Sequence, residues 1–551
     1  MSPKPAASAS RRIAPPSVRA RTRRAVLFLF AAFALRGIFL NLALPYGDPL
    51  DEIFHFGYAV FLEATGHPPA ASEVSMPDQL LRPLRFLPRS TSFPGPKVSW
   101  SEASRWTPGE RERIWREAFP PRSGEPPVFV TTNYESQQPP LFYLGAAILL
   151  RALKEIPLET QLLILRLAAT LVAALSVPLA HAFFRRLLSR RGALAATAAF
   201  VAFPGIGIFT GRFTNDALAM PIVTALLVVF ADTGRGRLSI LGTAALAVLL
   251  AAGCWTKLYV LLLLPAAPLI ALRTPRGRRS VLTLRASVAS AVSFLAILPW
   301  LARQHADTGD WFGMLASRQA ERLKLGLGER LHALPDLLHI RFGIVFGRTF
   351  LWPGTWSAMG AQRFVAVVLF LALSLLALLP LFLRGGSSLR RRVWWGTAVV
   401  LPLFLLGYAA YASTFAAVAR RGGYPPSAGP DGWYLLILFP VLLAAGCARG
   451  HRVPSEILLI ALGVFIVAEG LLTLGVLPAV YSGWTTPNGS NAPLRAWLPM
   501  ATSPFFALAT YASVGLARTS VPALGLVLAT ELLALLAAIF PLVRRARPPG
   551  Q

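Results

Sequence analysis

The run AVLFLFAAFALRGIFLNLALP, from Ala25 to Pro45, is 21 residues long and carries one charge, Arg36. At about 1.5 Å of rise per residue a helix of this length reaches roughly 30 Å, the thickness of a bilayer's hydrocarbon core. Arg11, Arg12, Arg19, Arg21, Arg23 and Arg24 precede it, and no small-residue cleavage site follows. The run therefore reads as an uncleaved first membrane span rather than a secretory leader.

Working outward, the pattern repeats along all 551 residues, of which 55% are hydrophobic and only 14% charged. Soluble domains carry about a quarter charged residues, so a string of soluble domains is excluded. Apolar runs fall at 25–45, 161–184, 193–211, 214–231, 238–254, 257–272, 281–300, 363–384, 393–413, 433–448, 455–478 and 520–543. Two shorter ones, 139–153 and 500–516, are too brief to cross easily. The net charge of +29, from 54 Lys and Arg against 25 Asp and Glu, would suggest nucleic acid in a soluble chain. Here the basic residues sit in short connectors between apolar runs, as positive-inside topology requires. No nucleic-acid partner is expected.

If the two short stretches lie along the outer surface, every strongly basic connector falls on one side. That arrangement predicts an all-α polytopic membrane protein of about 12 spans (11–14), in the plasma (inner) membrane, with both termini cytoplasmic. The membrane domain would run from 25 to 543, between cytoplasmic tails at 1–24 and 544–551. Its long outer segments would be 46–160, 301–362 and 479–519. The first holds 12 of the 25 acidic residues between Asp48 and Glu135, and many prolines, and reads as a loop carrying short helices. No internal repeat is evident, and Cys254 and Cys447, both in apolar runs, imply no disulfide framework.

Two motifs in the first outer segment carry chemistry. Directly after the first span comes Pro45-Tyr46-Gly47-Asp48-Pro49-Leu50-Asp51-Glu52-Ile53-Phe54-His55. A carboxylate at a membrane–water boundary, shifted by partial burial and by its neighbours, suits a general base for an acceptor hydroxyl. The plainer reading is that Asp48 and Asp51 cap a surface helix. Near the end of the segment is Asn133-Tyr134-Glu135-Ser136-Gln137-Gln138-Pro139-Pro140-Leu141-Phe142-Tyr143. The proline pair starts a helix well, and Glu135 could meet Asp51 to hold a cation or divide acid and base roles.

Together the motifs resemble the GT-C superfamily of integral-membrane glycosyltransferases, in its protein mannosyltransferase and aminoarabinose transferase branch (glycosyltransferase family 39-like). Ile164–Arg186 and Phe213-Thr214-Asn215-Asp216-Ala217-Leu218 are similar in pattern, and the likeness is good over about 25–260. The resemblance implies transfer of a hexose or pentose from a polyprenyl-phosphate donor to a lipid, glycan or protein acceptor at the outer face. Asp51, Glu52 and Glu135 would be the catalytic carboxylates, with Asp51 as base. His55, Gln138, Tyr143, Asn215 and Asp216 would line the substrate cavity. A divalent cation, if one is used, would sit on Asp51 and Glu135. Some relatives carry Lys beside Glu135, where this chain has Ser136, so phosphate must be met from elsewhere.

The leaving phosphate develops charge as its bond breaks and calls for cations at the outer interface. Candidates are Arg212, Lys257, Arg303, Arg341 and Arg348; for Lys257, in Cys-Trp-Thr-Lys-Leu-Tyr between two apolar runs, the alternative is snorkelling to the interface. Arg36 is either paired within the bundle or part of the site. Gly429-Pro430-Asp431-Gly432-Trp433-Tyr434 is similar to a Gly-Arg-Tyr-Leu motif of such enzymes, but Trp433 replaces the arginine. Two alternatives stand beside the transferase. One is a secondary transporter using the intramembrane acids Glu469 and Glu531; the other is a polysaccharide polymerase or ligase.

Overall fold

The computed structural model describes residues 16–88, 98–120, 126–274, 276–313, 315–360, 363–382, 396–422, 431–448, 455–483 and 503–544. The expected tails over 1–15 and 545–551, residues 484–502 of the third outer segment and the side chain of Cys447 lie outside them. Helix α1, Pro16–Ala43, starts nine residues before the apolar run, so part of the expected N-terminal tail is helical. It is followed by α2, Glu52–Thr65; α3, Leu141–Ala152; and the near-continuous pair α4, Leu158–Ala174, and α5, Ser176–Leu187. Then come α6, Arg190–Ala202; α7, Pro204–Thr210; α8, Asp216–Thr233; α9, Ile240–Thr256; and α10, Arg276–Thr308. Of the later helices, α11 is Leu401–Arg421, α12 Ser455–Leu471 and α13 Val521–Arg544.

Among the described residues, seven helices are long and apolar enough to cross a membrane, and eight if the pair α6 and α7, bent by 58°, counts as one span. The bend falls at Phe203-Pro204, where proline cannot donate the hydrogen bond that would continue the helix. The remaining expected spans, at 238–254, 257–272, 363–384 and 433–448, are helical but shorter over the described residues. Helix α10 runs eight residues past the expected boundary at 300, which shortens the second outer segment. Helix α3, of 12 residues, is only about 18 Å long.

Helix α1 lies along α13 and also packs on α4, α5 and α6. Close approach of α1 to α4 needs Gly37, since a Cβ there would meet the Thr170 side chain at 2.3 Å. Successive spans alternate in direction, and contacts fix which ends coincide. Arg190 Nε donates to Thr22 Oγ1 (2.6 Å), Arg191 to the Leu542 carbonyl (3.0 Å), and Arg186 pairs with Asp232 (2.8 Å). The basic connectors 185–191, the start of α1 and the end of α13 thus share one end of the bundle. The end of α1 and the start of α8 share the other.

The first outer segment is not wholly helical. Strands β1, Val74–Pro77, and β2, Phe129–Thr132, pair antiparallel, drawing together the two motif-bearing ends of the segment.

Candidate active site

After α1 the chain turns back on itself through Gly47, at φ +72°, and Asp51, at φ +61°. A left-handed conformation is strained for a residue with a Cβ, although aspartate tolerates it better than most. Asp51 precedes α2 but makes no side-chain cap bond. Its carboxylate instead accepts a hydrogen bond from the Tyr134 hydroxyl. The helix-cap reading therefore fails for Asp51. It fails for Asp48 as well, whose buried carboxylate accepts from the Ser357 hydroxyl (2.6 Å) and the Tyr481 hydroxyl (2.6 Å). Asp48 ties the first outer segment to the second and to the helix ending at Tyr481.

Glu52, expected among the catalytic carboxylates, faces away from Asp51. It is fully buried and holds Arg166 of α4 through Nε–Oε1 (2.8 Å) and Nη2–Oε2 (2.5 Å). The Phe213 amide donates to the same carboxylate at 3.0 Å. Arg166 also donates to the carbonyls of Asn41, Leu44 and Pro45. Every lone pair and N–H used here is matched, which is the condition for a buried ion pair to be tolerated. This pair fixes the end of α1, the start of α2 and the 211–215 turn in one arrangement.

The second motif closes on the first through β1 and β2. Asn133 donates to the Phe54 carbonyl (2.7 Å) and the Tyr58 hydroxyl to the Gln138 carbonyl (3.0 Å). The Tyr58 and Tyr143 rings stack at 3.8 Å. His55 bridges Tyr143 (2.6 Å) and Thr214 (3.2 Å) through its two ring nitrogens. Asn215 donates to Gln138 Oε1 and to the Thr256 carbonyl, both at 3.2 Å. The residue pattern thus brings His55, Gln138, Tyr143 and Asn215 together.

Asp216 opens α8 and accepts from Lys257 Nζ, from the Tyr259 hydroxyl (3.1 Å) and from Thr214 (3.2 Å). Lys257 stands where α9 ends, so two antiparallel helices deliver a carboxylate and its counter-ion to one place. Arg212, only 4% exposed, has among the described residues no partner for Nε or Nη1, and its guanidinium lies 5.5 Å from the Phe209 ring. Buried donors without acceptors are rare and costly. Glu135 Oε2 and Asn215 Oδ1 are likewise unmatched. Asp51, Tyr134, Gln138 and Lys257 are partly exposed and form the open edge of the cluster.

Burial raises the Asp51 carboxyl above its usual range, against the Tyr134 hydrogen bond and the charges of Arg212 and Lys257, which favour the anion. Glu135 is pushed up to about 8, first by burial and then by the charge of Asp51. His55 is held well below its ordinary value by burial and by the nearby cations, so the imidazole is neutral. Two carboxyls raised by burial in one site, Glu135 also by the charge of Asp51, are candidates for divided acid and base roles. Among the described residues no group of three or more His, Cys, Asp or Glu side chains is placed to hold a metal ion.

Three site features were not anticipated from sequence. Tyr134 is the direct partner of Asp51. Arg166 is the partner of Glu52, and its place inside an apolar run was the available signal. Asp431, raised to about 7 by burial and by the charge of Asp51, brings the 431–434 segment to the cluster. Arg348 lies on the helix Ile340–Leu351, where burial and then the charge of Arg363 lower its proton affinity. Arg303 bonds the Pro68 carbonyl and pairs with Asp307. Arg36 is paired inside the bundle with Glu531 (2.8 Å) and Glu469 (3.7 Å).

Residues 138–302 match the family model described as dolichyl-phosphate-mannose-protein mannosyltransferase. No curated protein matches the chain. Among solved structures it is similar to ArnT from Cupriavidus metallidurans bound to undecaprenyl phosphate, at 13% identity and a TM-score of 0.43, over 93% of this chain and 76% of that one. It is also similar to the Archaeoglobus fulgidus oligosaccharyltransferase in complex with zinc and sulfate, at 12% identity and a TM-score of 0.40, over 85% of this chain and 53% of that one. The chain spans about half the length of the archaeal protein.

Proposed function

We propose, on the premise that this chain is an integral-membrane glycosyltransferase of the GT-C superfamily, that it moves a sugar from a polyprenyl-phosphate donor to an acceptor hydroxyl. Transfer takes place at the outer face of the plasma (inner) membrane, and the acceptor is a lipid, a glycan or a protein. The observation that carries this reading is Arg212, a buried guanidinium with two unmatched donor groups among the described residues, within the electrostatic reach of a partly exposed carboxylate, Asp51. A base and an unsatisfied anion receptor side by side suit a reaction that takes a proton from one group and releases a phosphate from another.

In the transfer step the acceptor oxygen bonds to the anomeric carbon as the bond from that carbon to phosphate oxygen breaks. The electron pair of the broken bond leaves on the polyprenyl phosphate, and the acceptor proton passes to Asp51. Tyr134 and the two cations keep Asp51 available as the anion. Arg212 meets the phosphate, and Lys257, steered by Asp216 and Tyr259, adds the positive charge that Ser136 does not supply. Glu135 holds its proton at neutral pH and donates a hydrogen bond to the reacting groups. Glu52 is a positioning residue, acting through Arg166. The transporter alternative loses its support, since Glu469 and Glu531 are ion-paired with Arg36.

The test is turnover. Purified protein is supplied with a panel of polyprenyl-phosphate sugars and membrane-derived acceptors, and release of polyprenyl phosphate is followed. Acceptor-dependent release is expected for one member. Coupled ion or solute uptake in vesicles, without any release, would overturn the reading.

A further inference from the structure

At the end of the bundle away from the carboxylate cluster, a cavity of about 510 Å³ opens between the 234–239 turn and the start of α10. Arg237, Arg278 and Arg285 line it with Ser239, Val281 and Leu282. Among the described residues no carboxylate does so. Arg285 is fixed by a bond to the Leu238 carbonyl (2.8 Å). The side chains of Arg237 and Arg278 are exposed and, among the described residues, have no hydrogen-bond or ion-pair partner.

The position is set by α8 and α9. Helix α8 starts at Asp216 in the transfer site and ends at Thr233 beside the cavity; α9 starts beside Ser239 and ends against Lys257. Its 17 residues span about 25 Å, close to the thickness of a hydrocarbon core. The cavity therefore sits at the opposite membrane boundary. Apolar side chains below it point outward on both flanking helices: Ile240 and Leu241 on α9, and Val281, Leu284 and Val288 on α10.

Positive-inside topology accounts for scattered arginines at this boundary. It does not account for three converging on one concavity above an exposed apolar strip. We infer that this cavity binds the headgroup of an anionic phospholipid in the leaflet opposite the transfer site. The phosphate diester is held by Arg237, Arg278 and Arg285, and the acyl chains lie along α9 and α10. A basic pocket between spans on the cytoplasmic side has the chemistry for such headgroups, and guanidinium suits phosphate through paired N–H donors.

Native mass spectrometry of the full-length protein, titrated with phosphatidylglycerol in detergent, tests this. Phosphatidylglycerol should be retained in preference to phosphatidylcholine. Arg237→Gln with Arg278→Gln should weaken retention roughly tenfold, and Arg278→Gln alone should give an intermediate loss. Both side chains are exposed and unbonded, so the fold should survive, as checked by gel filtration. Arg23→Gln with Arg24→Gln, which removes the same charge elsewhere on the basic side, should leave retention unchanged. Equal retention of phosphatidylcholine, or equal loss in the Arg23/Arg24 variant, would overturn the inference. So would full displacement of the lipid by millimolar inorganic phosphate, which would mark a free-anion site.

Discussion

The Tyr134 hydroxyl donates to the Asp51 carboxylate, joining two residues 83 positions apart at opposite ends of the first outer segment. The bond gives Asp51 a donor that its own helix does not. It favours the charged form of a carboxyl that burial would otherwise neutralise.

Tyr134→Phe removes that donor. With it gone the Asp51 carboxyl rises further, so a smaller fraction is available as base at neutral pH. The acid limb of the pH–rate profile should move upward by about one unit, so that transfer on that limb falls by up to roughly tenfold. An equal loss at every pH would mean that Tyr134 acts on substrate rather than on Asp51.

Glu135 gives a prediction on the alkaline side. Its folded value of about 8 lies above the 4.5 of an ordinary glutamate, so the folded state holds an extra proton between those limits. Stability should fall as pH rises through that window, and transfer that needs the neutral carboxyl should decline as pH passes about 8. Glu135→Gln imitates the protonated form and should flatten both dependences. The same alkaline decline in the variant would remove Glu135 from the mechanism.

Glu52 and Arg166 are bound by mutual necessity. Glu52→Gln leaves a fully buried guanidinium without its counter-charge and should cost about 3–5 kcal/mol, read as thermal unfolding in detergent. Glu52→Gln with Arg166→Gln should recover most of the loss. A stable double variant with transfer as low as that of an Asp51 variant would restore Glu52 to the catalytic group.

Orientation is tested at Ser101, which is exposed; Ser75, in the same segment, is buried and unsuited to labelling. Ser101→Cys, in a chain lacking Cys254 and Cys447, should react with an impermeant thiol reagent added to intact cells. Labelling only after lysis would place the carboxylates in the cytoplasm.

Much of this was legible in the sequence because both signals were local. Apolar runs near 20 residues mark helices, and the two acidic motifs flank the first outer segment. The pairing of Asp51 with Tyr134 was not legible, since it depends on a turn with two left-handed residues and a short sheet formed by β1 and β2. Spacing alone could not separate Glu52 from Asp51, because adjacent residues at a helix start point in different directions, one to Arg166 and one to the open edge. Arg36, Glu469 and Glu531 each looked functional alone, and only the packing of three distant helices shows them neutralising one another. Arg212 was one of five equivalent cations until its two unmatched nitrogens set it apart.

The most direct test of the account is the rate of polyprenyl phosphate release by Asp51→Asn, measured beside the wild type on the donor that supports turnover. Asparagine keeps the shape and still accepts from Tyr134, but it cannot take the acceptor's proton. A fall of roughly 10²–10⁴-fold in protein that stays folded in detergent is the predicted result for a general base. A fall of less than about threefold would contradict the assignment of Asp51 as the base.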